Sequence, residues 1–314
     1  MKATVVNEFV INPSVELLPD IKICPFTNND FKRNRKFPDS DIIDHYFRTR
    51  FSPSHFFYTL NGRTAIGLAL HQLNLSREDV VTILTTSGNF YISHCVTDEI
   101  EKVCGWSRKI DKNTRAILVN HEFGFPFEEI ADLRKYNLPI IEDCAHSFFS
   151  TDKKGLTGTV GDFIICSFPK IFPVQTGGLL VSKDMISIPA DYICDAAIVR
   201  YLKNVLSFHI PMKDEIIEKR INNHRYLEKI LQPFGVETRF ELKPGIVPGV
   251  FLFRIAMPEA NLQKLKVHFY AHGVQCSVFY GEESFFIPVH QALDEQDLSY
   301  FIEVMKSFIK QANS

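Results

Sequence analysis

The sequence lacks most of the marks that place a chain in a class at once. It has no stretch of about 20 apolar residues, so no segment reads as a membrane-spanning helix. Its start, MKATVVNEFVINPS, holds no sustained apolar run, which argues against a secretory signal. Its 7 cysteines are an odd number with no Cys-x-x-Cys spacing, and several sit in apolar runs such as FIICSF. That pattern excludes a disulfide framework and reads as buried, reduced thiols. A soluble, cytoplasmic protein is the expectation. An excess of one charge is also missing. Lys+Arg is 35, Asp+Glu is 37 and the formal charge is -2, so nothing draws the whole chain toward nucleic acid or anionic membrane. The one basic run, Lys32-Arg33-Asn34-Arg35-Lys36, has no interleaved aromatics and is followed by Asp39 and Asp41. It reads as solvated surface.

Several catalytic signatures are absent too. A nicotinamide enzyme needs Gly-x-Gly-x-x-Gly between a strand and a helix; GLTGTVG has a different spacing and no helical pattern after it. Gly-x-Ser-x-Gly, the mark of a serine hydrolase, does not occur. SHCV and DCAH offer pairs of ligands only, so no metal is expected. There are no internal repeats and no low-complexity linker.

With 314 residues and 45% hydrophobic content, the chain can bury a large core and has room for more than one domain. Residues 1–50 are mixed in pattern: IKICPF suggests a strand and SDIIDHYF a short helix capped by Ser40. Helices and apolar strands then alternate. NGRTAIGLALHQLNL and PFEEIADLRKY (126–136, opened by Pro126) read as helices. DVVTILT, AILVN (116–120), LPIIED, DFIICSF and GGLLVS read as strands. Alternation of this kind predicts an α/β domain with a mainly parallel sheet covered on both faces. After about residue 205 the pattern becomes α+β: long helices at 213–231, NLQKLKVHFYAHG and DEQDLSYFIEVMKSFIKQ, with strands at GVFLFRIAM and VQCSVFY. The expected division is an N-terminal segment at 1–50, a large domain at 51–204 and a small C-terminal domain at 205–314.

Three signals fall on strand ends or helix starts of the large domain. NGRTAIG (61–67) opens a helix with glycine and small residues, where Gly62, Arg63 and Thr64 could present amides and a hydroxyl to a phosphate; the same letters also make an ordinary turn. In PIIEDCAH, Asp143 closes an apolar strand, where a carboxylate could meet a protonated ring nitrogen or simply end the strand in a turn. In SFPKIFPVQTGG, Lys170 lies among Phe168, Pro169, Ile171, Phe172 and Pro173. Apolar surroundings disfavour the ammonium and leave an amine fit for a Schiff base; a snorkelling surface lysine is the plainer reading. Ser167 precedes it and could hold a phosphate. Phosphate loop, strand-end Asp and downstream Lys, in that order, follow the logic of a pyridoxal phosphate (PLP) site.

At these residues the sequence resembles the DegT-type aminotransferases, PLP enzymes that often aminate keto groups of nucleotide-linked sugars. The resemblance is carried by NGRTAIGLAL, ILVNHEFGFPFEEI, IIEDCAHS, GTVGDFIICSF, GGLLVS and, more weakly, IPVHQALDEQDLSYFIEVM. It implies PLP fold type I, with a mainly parallel large domain and a small α+β domain. It implies Asp143 for the pyridine nitrogen, His146 near the ring hydroxyl, Ser167 on the phosphate, and Gly62, Arg63 and Thr64 in the phosphate loop. Phe90, or Tyr91 as second choice, would stack on the ring. Lys170 takes the lysine position if the alignment is anchored on Gly177-Gly178; anchoring on Ser167 would place Phe172 there. The activity implied is transfer of an amino group, from an amino acid such as glutamate, to a keto sugar on a nucleotide carrier in sugar and polysaccharide biosynthesis, by a homodimer. The alternatives are a PLP enzyme acting on a small amino acid and a non-catalytic member of the fold.

Overall fold

A computed structural model describes residues 4–7, 10–12, 19–257 and 259–312 of the chain. Contacts divide it into two units: Phe26–Asp214 with Lys243–Val247, and Met1–Pro25 with Glu215–Leu242 and Pro248–Ser314. The boundaries expected at 50 and 204 both fall inside the first unit, because helices run through them.

Strands β1 (Thr4–Asn7) and β2 (Val10–Asn12) pair antiparallel. The larger unit follows, with helices α1 (Asn28–Arg33), α2 (Ile42–Phe51), α3 (Gly62–Gln72), α4 (His94–Glu101) and α5 (Ala196–His209). Its strands are β3 (His55–Thr59), β4 (Val80–Thr85), β5 (Gly105–Ser107), β6 (Thr114–Asn120), β7 (Ile140–Asp143), β8 (Phe163–Ser167) and β9 (Gly178–Ser182). They make one sheet in the order β3-β9-β8-β7-β6-β4-β5. Pairing is parallel from β5 to β8, and β9 runs antiparallel to both β8 and β3.

Both faces of the sheet are buried, as near-continuous apolar strands require. Alternate residues go to opposite sides. Ala116, Leu118, Ile141, Phe163, Ile165 and Leu180 share a core with Ala65, Leu68 and Ala69 of α3 and Ile100 of α4. On the other side, Ile164, Cys166, Leu179 and Val181 pack with Ile43 and Phe47 of α2 and with Leu202, Val205 and Leu206 of α5.

The second unit holds α6 (Lys213–Leu231), β10 (Val236–Thr238), β11 (Phe251–Ile255), α7 (Glu259–Ala271), β12 (Ser277–Phe279), β13 (Ser284–Ile287) and α8 (Glu295–Ala312). The strands form an antiparallel sheet in the order β10-β11-β13-β12. Phe251, Phe253, Leu265, Phe269, Phe285 and Phe301 are central to its core.

Three local expectations need correction. IKICPF is not a strand: only Ile21 bridges, to Val274, and the Ile23 N–H donates instead to the Gln275 side chain at 2.8 Å. Pro126 opens no α-helix. The Phe127 N–H is taken by His121 Nδ1 at 3.0 Å, and a 3-10 helix begins only at Ile130 and ends at Tyr136. The cap of α2 is Asp41; the Ser40 hydroxyl accepts from the Ile42 N–H at 3.4 Å beside it.

Candidate active site

Parallel pairing brings polar strand ends together. Thr85 is in register with Asn120, and Asn120 with Asp143. Ser167 pairs with Gly178, which pairs in turn with Thr59. The carboxyl edge of the sheet thus carries Thr85, Asn120, Asp143 and Ser167 in a row, where open α/β sheets bind ligands. All four have the strand parity that points to the α3 side.

The same alternation separates Asp143 from its neighbour. Glu142 is fully buried and accepts from Gly158 N–H at 2.7 Å, from Gly161 N–H, and from His121 Nε2 at 3.1 Å. Because His121 Nδ1 accepts from Phe127 N–H, its proton sits on Nε2 and donates to Glu142. Glu142, His121 and Cys144 place ligand atoms within 4.8 Å of one another. Protein hydrogen bonds already engage both ring nitrogens and the carboxylate, and burial pushes the Cys144 thiol well up, so the trio reads as a structural knot.

Asp143 is buried at the edge. Asn120 Nδ2 donates to its Oδ2 at 2.7 Å and the Ala145 N–H to its Oδ1 at 3.0 Å. Burial pushes its carboxyl above the usual range; those two donors and the positive charge of Lys170 pull the other way. Lys170 is therefore close enough for its charge to be felt at Asp143. It ends the 3-10 helix Phe168–Lys170 and is half-buried. Phe172, the position given by the other alignment, is buried edge-on against Phe148 and Phe168 and carries no chemistry.

Helix α3 starts beside the same edge. A Cβ on Gly62 would lie 3.2 Å from Ser167 Cβ, so the helix N-terminus and Ser167 nearly touch. Asn61 caps the helix, accepting from Thr64 N–H at 3.0 Å and from the Thr64 hydroxyl at 3.2 Å. Thr64 is thus committed to the cap. The amides of Gly62 and Arg63 have no intrahelical acceptors and lie at the positive end of the helix. The Arg63 side chain is exposed. Gly177 and Gly178 make this packing possible: a Cβ on Gly178 would sit 2.7 Å from Asn61 C, and Gly177 has φ +109°.

Phe90 and Tyr91 lie in the loop after β4; Phe90 is 73% exposed and Tyr91 half-buried. His146 meets Phe123 edge-on, with ring centroids 5.5 Å apart. Sequence reasoning missed Asn120, although it ends the apolar run AILVN just as Asp143 ends its own. It also missed Arg108 and Glu122, which hold the Phe90 loop and lie in no recognisable pattern. The residues suit pyridoxal phosphate: a helix N-terminus against a serine for the phosphate, a buried carboxyl whose ionised form a cationic ring nitrogen would favour, and a lysine within its field.

Comparison with known proteins agrees. A family model described as "Putative PLP-dependent aminotransferase" matches residues 43–210, more than half of the chain. The chain is 34% identical over 145 residues to GDP-perosamine synthase of Escherichia coli O157:H7, covering 40% of this chain and 39% of that protein. It is 40% identical over 83 residues to dTDP-4-amino-4,6-dideoxy-D-glucose transaminase of Shigella dysenteriae, covering 24% and 23%. The match thus spans well under half the length of these relatives. In fold it is similar to the aminotransferase TlmJ from Streptoalloteichus hindustanus, with TM-score 0.72 at 16% identity over 91% of this chain and 95% of the other. A DegT DnrJ EryC1 StrS aminotransferase from Brucella abortus gives TM-score 0.68 at 15% identity over 89% and 93%. The chain belongs to the family of PLP-dependent aminotransferases that the family model describes, with PLP fold type I.

Proposed function

We propose that the protein moves an amino group from an amino acid, glutamate being the donor we favour, to a keto sugar carried on a nucleotide. The observation that carries the reading is one sheet edge holding Asp143 within the field of Lys170, with Ser167 against the α3 N-terminus. The names of the two sequence relatives, one GDP-linked and one dTDP-linked, support a nucleotide-sugar acceptor.

Bound pyridoxal phosphate supplies an aldehyde that exchanges nitrogen and a ring that takes up electrons. The chain's own groups do the rest. Gly62 and Arg63 amides, with Ser167, hold the phosphate, and the Thr64 cap fixes those amides. Asp143, oriented by Asn120, keeps a proton on the ring nitrogen. His146 would face the ring hydroxyl. Phe90, or Tyr91, would cover a ring face. The amine of Lys170 would hold the aldehyde and would move the proton at the reacting carbon. The working form we propose is a cytoplasmic homodimer. Among the described residues, no helix is long and apolar enough to cross a membrane.

The test is a visible-absorbance titration with PLP, followed by borohydride reduction and peptide mapping. A label on Lys170, with bleaching of the band by glutamate, is the expected result. A label on another lysine, or a protein that takes up no PLP, ends this reading. Sedimentation as a monomer of full activity would remove the dimer.

A further inference from the structure

Two charged groups hold the loop that carries Phe90 and Tyr91, one from each side. Arg108, just beyond β5, donates from Nη2 to Thr85 Oγ1 at 3.1 Å and to the Asn89 carbonyl at 2.7 Å. Glu122, in the turn after β6, accepts the Ser87 N–H at 2.7 Å. The Glu122 N–H goes to Thr86 Oγ1 at 3.0 Å, and that hydroxyl donates to the Phe125 carbonyl at 2.6 Å. The span from Thr85 to Asn89 is thereby tied at four residues, Thr85, Thr86, Ser87 and Asn89, by groups from two other connections. Thr85 is the register partner of Asn120, which itself binds Asp143, so the ties begin two strands from the carboxylate.

Stability does not explain the arrangement. Arg108 Nη1 is buried and has no hydrogen-bond partner among the described residues. Burial lowers the Arg108 pKa, and the negative charge of Glu122 opposes that only in part. A half-buried guanidinium with one buried donor unmet is a cost to the fold. What the pair secures is position. Phe90 is 73% exposed, so its own packing cannot fix where the ring lies.

We propose that Arg108 and Glu122 form an ionic clamp that sets the Phe90–Tyr91 loop against the cofactor ring, making both of them positioning residues for cofactor binding. This rests on the reading of Phe90 or Tyr91 as the ring-stacking aromatic. Neither clamp residue need touch the cofactor.

The test compares wild type with Arg108→Met, Arg108→Lys, Glu122→Gln and the Arg108→Met/Glu122→Gln pair. Amide hydrogen exchange is followed on residues 86–93 with and without PLP, and PLP affinity and induced visible circular dichroism are measured alongside. Losing a charged hydrogen bond is worth about tenfold or more in an equilibrium. In Arg108→Met, loop exchange without PLP should therefore rise about tenfold while the rest of the sheet exchanges as before. The PLP dissociation constant should rise by a similar factor and the dichroic band should change. Arg108→Lys should recover part of both. Glu122→Gln keeps the acceptor oxygen and should do less, and the double variant should show less than the product of the single effects. Unchanged loop exchange in Arg108→Met overturns the clamp, as does faster exchange throughout the sheet. Faster loop exchange with unchanged PLP affinity and dichroism overturns its role toward the cofactor. Wild type that binds no PLP defeats the cofactor reading and this one together; wild type that binds it while Arg108→Met binds equally well defeats only the clamp's role toward the cofactor.

Discussion

Glu142 and Asp143 are adjacent carboxylates at the end of one strand, and the pleat sends them to opposite faces. Glu142 is consumed by three donors, whereas Asp143 has two and lies in the field of Lys170. Their substitutions should separate accordingly. Glu142→Ala strands two amides and a histidine in the core and should cost about 3 kcal/mol or more in denaturant unfolding. Asp143→Asn should leave unfolding within about 1 kcal/mol of wild type and lower turnover by at least about a hundredfold, since the ring nitrogen loses its carboxylate. Lys170→Ala should abolish turnover with the fold intact, read by steady-state kinetics beside circular dichroism. Lys183 is the control. It is exposed, pairs with Asp162 at 3.2 Å and donates to the Val160 carbonyl at 3.0 Å. Lys183→Ala should change neither activity nor stability by more than about 0.5 kcal/mol.

At the scale of elements, the position of α3 decides whether a phosphate can be held. Its cap is Asn61, and its start is packed against Ser167 and Gly178. Asn61→Ala should cost about 1 kcal/mol of stability by thermal or chemical unfolding. It should also weaken binding of PLP, because the Gly62 and Arg63 amides are then free to fray. Gly177→Ala is the harsher change. At φ +109° its Cβ would stand 2.5 Å from Leu202 Cδ2, so both backbone and α5 must move. A loss of roughly 2–4 kcal/mol is expected, again from unfolding curves.

At the scale of the whole molecule, the smaller unit carries four histidines held neutral, His224, His272 and His290 buried and His268 half-buried. Burial lowers the pKa of His224 to about 4, His268 to about 4 and His290 to about 3, and lowers His272 as well. The unfolded chain binds protons near pH 6.5, and the folded unit resists them until pH 3–4. Stability from these groups is therefore present above the unfolded value and lost as pH falls from 6.5 toward 4. Melting followed by fluorescence over that window should show the midpoint dropping steeply. His290 alone accounts for on the order of a few kcal/mol, and His290→Gln should flatten the lower part of the curve.

Alternating helices and apolar strands from 61 to 182 were enough to specify a mainly parallel sheet, because burial on both faces leaves a continuous apolar signature. The order Asn61-Gly62, Asp143, Lys170 was enough to point at a cofactor with a phosphate, a ring nitrogen and an aldehyde. Short or partly exposed elements were not legible. β3, β5 and β13 are five residues or fewer, and α5 lies in a stretch with no motif. Of the two alignments the sequence allowed, the glycine anchor favoured Lys170; in the fold the turn at Phe168–Lys170 leaves that lysine in the field of Asp143 while Phe172 enters the aromatic cluster. Asn120, Arg108 and Glu122 meet Asp143 or the Phe90 loop only across strand pairings and between connections far apart in the chain. Local sequence determined which residue types could do the chemistry. The register of the sheet decided which of them stand together, because a one-residue slip would have turned the strand-end side chains Thr85, Asn120, Asp143 and Ser167 to the other face.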